Sequence, residues 1–183
     1  MILSAYPATA EPIVLIWSST GHRYAIEIQH TPIELDQIEA RTQSYHGAGI
    51  AVIWVALIKP SFWEKAEKAT EGCVNPSYSA RPWERWAHGF NYGQLWFYDP
   101  AAKALWRGRF EKHEIQVEAT SWYDSDGNEN YRGGYTRISK RWKELTLQGP
   151  FSLDQVKIEQ FSRKAAALGS YNYPAGRAAR LLA

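Results

Sequence analysis

The apolar positions Ile13, Val14, Leu15, Ile16 and Trp17 form an unbroken run of strand length, followed by the polar, glycine-containing stretch 18–22. From 23 to 29 the pattern alternates, with Tyr24, Ile26 and Ile28 on one face and Ala25, Glu27 and Gln29 on the other. Successive side chains of a strand point to opposite faces, so this spacing predicts two strands joined as an antiparallel hairpin. A helix is predicted next, with Thr31 as N-cap, Pro32 at the first helical position and Glu34 completing a capping box. Ile33, Gln37, Ala40, Ser44 and Tyr45 recur at helical spacing, and the glycines at 47 and 49 end the helix. The run 50–58 is apolar throughout, as in a strand covered on both faces. Strand, helix, strand predicts a right-handed parallel pair.

Beyond Lys59 and Pro60 the pattern is more broken. It predicts a short amphipathic helix over 61–72, carrying Phe62, Trp63 and Ala66, and a loop at 75–79. Trp83, Trp86 and Phe90, at i, i+3 and i+7, predict a helix over 82–90. Strands are expected at 94–98, 104–110, 115–119 and 142–147. The polar, glycine-rich stretch 125–134 reads as a mobile loop, 151–168 as a helix, and 176–183 as a frayed tail or short helix. The expected class is α/β: one compact domain over 1–183, with a mixed-sheet core at 1–58 and an aromatic-rich strand and helix extension at 59–183 packed on it.

Composition narrows the function classes. A chain of 183 residues with 45% hydrophobic and 22% charged residues is long enough to bury a core and too apolar to be disordered. No apolar run is long enough to span a membrane as a helix. The first 20 residues lack a basic leader region, and Cys73 has no second cysteine to pair with, so the expected location is cytoplasmic. The net charge of +2 neither demands nor excludes a nucleic-acid partner. Nine Trp and eleven Tyr against six Phe favour rings with a polar tip, which suit half-buried and binding surfaces.

Candidate chemistry starts at Glu27 and Gln29. Alternation puts both on one face of a strand expected to be central, just before a helix. A charge there is costly unless it is paired or bound to a metal. Either this face is solvated, or Glu27 pairs with Arg23 or Arg41, or it serves as a ligand.

The segments Tyr24-Ala25-Ile26-Glu27-Ile28-Gln29, Arg41-Thr42, Tyr45 and Gly49-Ile50-Ala51-Val52-Ile53-Trp54-Val55 resemble the competence protein CoiA-like family. The resemblance is clearest over about residues 13–58. It implies a nuclease-like domain with the PD-(D/E)xK restriction-endonuclease fold, a mixed sheet with flanking helices. In that fold an Asp on one strand and the Glu of a Glu-x-Lys on the next hold Mg²⁺ or Mn²⁺ through oxygens, and the metal activates water against a phosphodiester. The resemblance makes Glu27 the second acid and metal ligand. Gln29 falls at the Lys position, able to orient water but carrying no charge. Arg41 and Tyr45 fall on the following helix, placed to brace Glu27 or touch a phosphate. The first acid is expected near Pro12 or Ile13. Neither is acidic, and Glu11, one residue away, is the only acid upstream of Glu27. Glu11 or Asp99 is the candidate to complete the pair.

A second candidate surface is basic and aromatic. Arg81, Arg85, Arg107, Arg109, Arg132, Arg137, Lys140, Arg141 and Lys143 interleave with Trp83, Trp86, Trp106, Tyr131, Tyr135 and Trp142. Basic groups neutralise phosphates while rings stack on bases, so Arg81, Arg85, Lys140 and Arg141 are candidates for binding DNA or RNA. The same residue types also make hot spots for a protein partner. His88, His113 and Cys73 have no zinc-ligand spacing, and 124–129 lacks the spacing of a calcium loop. Two function classes follow. One is a metal-dependent nuclease, possessing or having lost its full acid set. The other is a non-catalytic protein on the same fold that holds nucleic acid, or inhibits a nucleic-acid-handling machine in the manner of phage anti-defence proteins.

Overall fold

The structure, a computed structural model, describes residues 13–19 and 22–183. Its centre is an eight-stranded mixed sheet. Strands β1 (Ile13–Ser19) and β2 (His22–Gln29) form the antiparallel hairpin that the alternation predicts, with Val14 opposite Glu27. Helix α1 (Leu35–Gly47) crosses to β3 (Ile50–Leu57), which lies parallel to β2. The helix starts later than expected. Thr31 and Pro32 remain outside it, and Glu34 is the N-cap, forming the capping box with Gln37. Glu34 and Gln37 have the same three-residue spacing as Thr31 and Glu34, so the capping signal was present one turn further on.

Helix α2 is a single turn (Pro60–Trp63), and β4 (Glu67–Ala69) and β5 (Gly72–Tyr78) occupy most of the stretch expected to be helix and loop. Gly72 explains part of this. Its φ is +148°, and a Cβ there would lie 1.9 Å from the Leu147 carbonyl oxygen, so only glycine allows the two backbones this close. Helix α3 (Pro82–Phe90) forms where predicted and leads to β6 (Leu95–Asp99), parallel to β3. Strand β7 (Ala104–Val117) unites the two strands expected at 104–110 and 115–119. Strands β8 (Thr120–Tyr123) and β9 (Glu129–Arg132) form a hairpin where a mobile loop was expected. Its turn is built by Asp124, whose Oδ1 accepts the backbone N–H of Asp126 and Asn128 at 3.0 and 2.8 Å. Strand β10 (Tyr135–Phe151) then returns along β7.

The helix expected at 151–168 does not form. A 3-10 turn at Leu153–Gln155 precedes β11 (Lys157–Arg163) and β12 (Ala166–Leu168). Strand β13 (Tyr171–Tyr173) pairs with β12, and β14 (Gly176–Leu182), not a tail, pairs with β11. The reason is the apolar run of β3, whose two faces both need cover. On one face Val52, Trp54 and Ala56 join Ile38 of α1 and Trp83, Trp86 and Phe90 of α3. On the other, Ala51, Ile53 and Val55 join Trp96, Leu105 and, from β14, Ala179 and Leu181. A helix at 151–168 would have left that second face to a tail.

Arg163 ties β11 to the helical face. Its guanidinium lies within 5.0 Å of the ring centres of Phe90, Tyr92 and Tyr173, and Nη1 donates to the Phe90 carbonyl at 2.6 Å. The sheet itself passes through residue 58, because β3 hydrogen-bonds directly to β6. The outer ends of β7 and β10 leave the sheet. β6 pairs with β7 only as far as Gly108 and β5 with β10 only as far as Lys143, so 111–117 and 135–142 form a free-standing two-stranded arm tipped by the β8–β9 hairpin.

Candidate nuclease-like site

Strands β2, β3 and β6 run parallel, and Glu27 and Gln29 lie near the C-terminal end of β2. Strand alternation turns Glu27 to the helical face, where its register partner on β3 is Trp54. Helix α1 lies over this face. Arg41 and Tyr45, one turn apart, therefore sit on the same side of α1 and both reach Glu27. Arg41 Nη2 is 2.6 Å from Glu27 Oε2. The same guanidinium lies 5.3 Å from the Trp54 ring centre, and Trp54 Nε1 donates to Thr42 Oγ1 at 3.0 Å. Glu27 thus sits in a layered cluster: carboxylate, guanidinium, indole and hydroxyl, all contributed by β2, α1 and β3.

The carboxylate is closed off. Glu27 is 0% exposed, and neither of its oxygens receives a well-aligned hydrogen bond despite the short ion pair. Burial raises its pKa above the ordinary value, and the neighbouring Tyr45 hydroxyl and Arg41 charge offset this only in part. Burial and the facing carboxylate in turn push the Tyr45 hydroxyl upward, so Tyr45 stays protonated and can donate. Gln29 is also buried. Its amide nitrogen donates to the Thr31 carbonyl at 2.9 Å and to Thr31 Oγ1 at 3.1 Å, fixing the chain just before α1.

The metal implied by the resemblance does not fit the described residues. Mg²⁺ and Mn²⁺ need several oxygen donors. Glu27 offers one carboxylate, and the cation beside it is already a guanidinium. Among the described residues no group of three or more His, Cys, Asp or Glu gathers as a donor set. Asp99 Oδ1 accepts the N–H groups of Ala101 and Ala102 at 2.9 and 3.3 Å in the turn after β6. Glu11 lies outside the described residues.

A second buried carboxylate escaped the sequence reading. Glu84 is accepted into the start of α3, taking the Tyr78 hydroxyl at 3.0 Å and the Arg81 N–H at 2.8 Å. Burial raises its pKa, yet both oxygens are satisfied, which marks it as a capping group. His88 is likewise structural: Nε2 accepts the Phe110 N–H at 3.2 Å, and burial lowers its pKa to about 4. Of the basic candidates, Arg81 is the N-cap of α3 and Arg85 lies one turn into it, both half-buried. Lys140 and Arg141 are exposed, in a bulge of β10 between Ile138 and Lys143, with Arg141 stacked 4.5 Å over Trp142.

The model of the competence protein CoiA nuclease-like domain matches residues 13–118. The chain belongs to this family. The match takes in the whole of β1 to β7, including the Glu27 cluster, and runs well beyond the segment in which the resemblance is legible by eye. No curated protein and no solved structure matches the chain. The CoiA nuclease-like domain here is a mixed α/β unit with one large sheet and three α-helices among the described residues. None of those helices is long and apolar enough to cross a membrane.

What the residue pattern conveyed and what it did not can be separated. Strand alternation singled out Glu27, and the resemblance placed Arg41 and Tyr45 on the following helix in position to brace it; both reach it. Trp54 and Thr42 stand in the segments that carry the resemblance, with no role attached to either. Trp54 is hidden in a uniformly apolar run, and the signal that could have found it is its position opposite Glu27 once β2 and β3 are placed in parallel register.

Proposed function

We propose that this protein uses the nuclease-like fold to hold nucleic acid rather than to cut it. The observation that carries this reading is the Glu27 carboxylate, fully buried beneath α1 and ion-paired to Arg41 at 2.6 Å. A scissile phosphate cannot reach a group with no exposed surface, and a guanidinium already supplies the positive charge that a catalytic cation would bring. In this reading the cluster fastens α1 to the sheet, and the family fold supplies a scaffold for basic and aromatic side chains. A fold does not by itself carry the chemistry found in some of its members. PD-(D/E)xK architecture is the form we assign to the scaffold, supported by the Glu-x-Gln strand, the parallel β2–β3 pair and the crossing α1.

Metal-dependent phosphodiester hydrolysis is the second reading. Family membership and the shared face of Glu27 and Gln29 favour it. It requires a second acid, for which Glu11 is the candidate, and displacement of Arg41 from Glu27. A partner other than nucleic acid, including a machine that this protein inhibits, is compatible with the same scaffold.

Phosphate contacts release counterions, so binding that depends on them weakens with salt. In a gel-shift titration the wild-type protein is expected to bind nucleic acid at low salt and to release it as salt rises. Changing Lys140 and Arg141 together to Ala is expected to weaken binding and flatten the salt dependence by about two contacts. Wild-type protein that binds no nucleic acid at low salt overturns the reading and leaves a protein partner in its place.

A further inference from the structure

We infer that the free-standing arm is a stacking platform for single-stranded nucleic acid, an assignment that rests on the nucleic-acid-holding reading above. Large exposed rings are concentrated there. Trp122, Tyr123, Tyr131 and Tyr135 are 49%, 70%, 73% and 43% exposed, whereas Trp54, Trp63, Trp83, Trp86, Trp96, Trp106 and Trp142 are half-buried or buried. The register explains how they are presented. Tyr123 pairs with Glu129, and Ser121 pairs with Tyr131, so the two tyrosines are diagonal neighbours on one face of the β8–β9 hairpin. Trp122 pairs with Asn130 and points to the opposite face. Arg132 stacks 4.6 Å over the Tyr135 ring where the hairpin meets the arm.

Rings spread singly over two faces make no continuous apolar core of the kind a stable protein interface needs. Each ring is nonetheless 43% exposed or more, and an unpaired base stacks on an accessible ring. The return strand carries Arg137, Lys140, Arg141 and Lys143 within seven residues, cations able to meet phosphates, while acids on the arm, Glu114 and Glu118 on and after β7 and Glu129 opposite Tyr123, confine that basic track to β10. Asp124 and Asp126 lie at the tip, and the Asp124 carboxyl is held below its ordinary pKa by the Asn128 N–H, so the tip stays anionic and repels a strand running past it. Duplex buries its base faces and offers phosphates on both flanks. The arm therefore favours a single strand, seated with bases on the tyrosine face and backbone on the basic return strand. The outer hairpin lies beyond residue 118 and outside the family match, so this assignment does not come from the family.

The test is fluorescence anisotropy with a labelled oligothymidylate of roughly 20 nucleotides and a duplex of equal length, using the full chain. Tyr123 and Tyr131 are changed together to Ala and, separately, together to Phe. Both positions are exposed, and retained far-UV circular dichroism will confirm the fold. Wild-type protein is expected to bind the single strand more tightly than the duplex. The double Ala variant is expected to lose about tenfold or more in affinity for the single strand, and the double Phe variant to retain it, because stacking needs the ring and not the hydroxyl. Equal binding of the single strand by wild type and the double Ala variant overturns the arm assignment while leaving nucleic-acid binding intact. A wild-type preference for duplex also overturns it. Absence of binding to either probe removes the holding reading and this one with it.

Discussion

Arg41→Ala will destabilise the protein by about 3 kcal/mol at neutral pH, because it strands a buried carboxylate without its cation. Among the described residues Arg41 is the cation paired with Glu27, at 2.6 Å, and Glu27 has no exposed surface to recruit water. The cost is pH-dependent, and its sign follows from the shift. The folded-state pKa of Glu27 already lies above its ordinary 4.5, so this group's stabilising contribution is present below 4.5 and is lost as pH rises through the folded value. Removing Arg41 raises the folded value further, since its charge is one of the effects pulling it down. The difference between wild type and Arg41→Ala is therefore larger at pH 7.5 than at pH 4, below the ordinary 4.5, where the group is mostly protonated in both folded and unfolded chains. Glu27→Gln removes the titration and flattens the slope between those limits. Urea unfolding at pH 4 and pH 7.5 measures this. A penalty that is equal at both pH values would mean that Arg41 contributes by packing over Trp54 and not by charge.

Trp54→Ala will cost about 5 kcal/mol, at the upper end for loss of a buried indole. Trp54 is fully buried in β3, an interior strand, and three losses coincide there: the cavity, the hydrogen bond to Thr42 Oγ1, and the ring under Arg41. For a chain of this length such a loss lowers Tm by roughly 10–20 °C. Trp54→Phe retains most of the packing and loses the N–H donor, so its penalty will be about 1–2 kcal/mol, that of a broken buried hydrogen bond. Differential scanning calorimetry of the two variants separates ring from donor. A Trp54→Ala penalty below about 2 kcal/mol would show that α1 is not anchored through this cluster.

The legible part of the fold was local. Period-two alternation at 23–29, the apolar run at 50–58 and the i, i+3, i+7 aromatics of α3 each satisfy their own element, and each formed. The elements that eluded the pattern answer to distant partners. Gly72 is strand because Leu147 lies against its backbone, and 157–163 is strand because β14 pairs with it and the far face of β3 needs covering. Residues 151–168 carry enough helix-forming types to suggest a helix, and tertiary demand overrode that preference. The site was legible to the same extent. Glu27 stands out as a strand acid and the resemblance adds Arg41 and Tyr45 on the following helix, while the depth of their burial depends on how closely α1 packs on the sheet. The arm was missed for a different reason: the ladder of β7 and β10 slips at 138–143 through a bulge, which breaks the alternation that would have joined 115–117 to 135–138.

The most direct test is a cleavage assay on end-labelled single-stranded oligonucleotide at low salt, with Mg²⁺ or Mn²⁺ supplied, comparing wild type with a folded Glu27→Ala variant. The sealed Glu27 cluster predicts bound and full-length oligonucleotide with either protein and either metal. Divalent-dependent shortening by the wild type that Glu27→Ala abolishes would contradict the account, and would place Glu27 at a working phosphodiesterase centre.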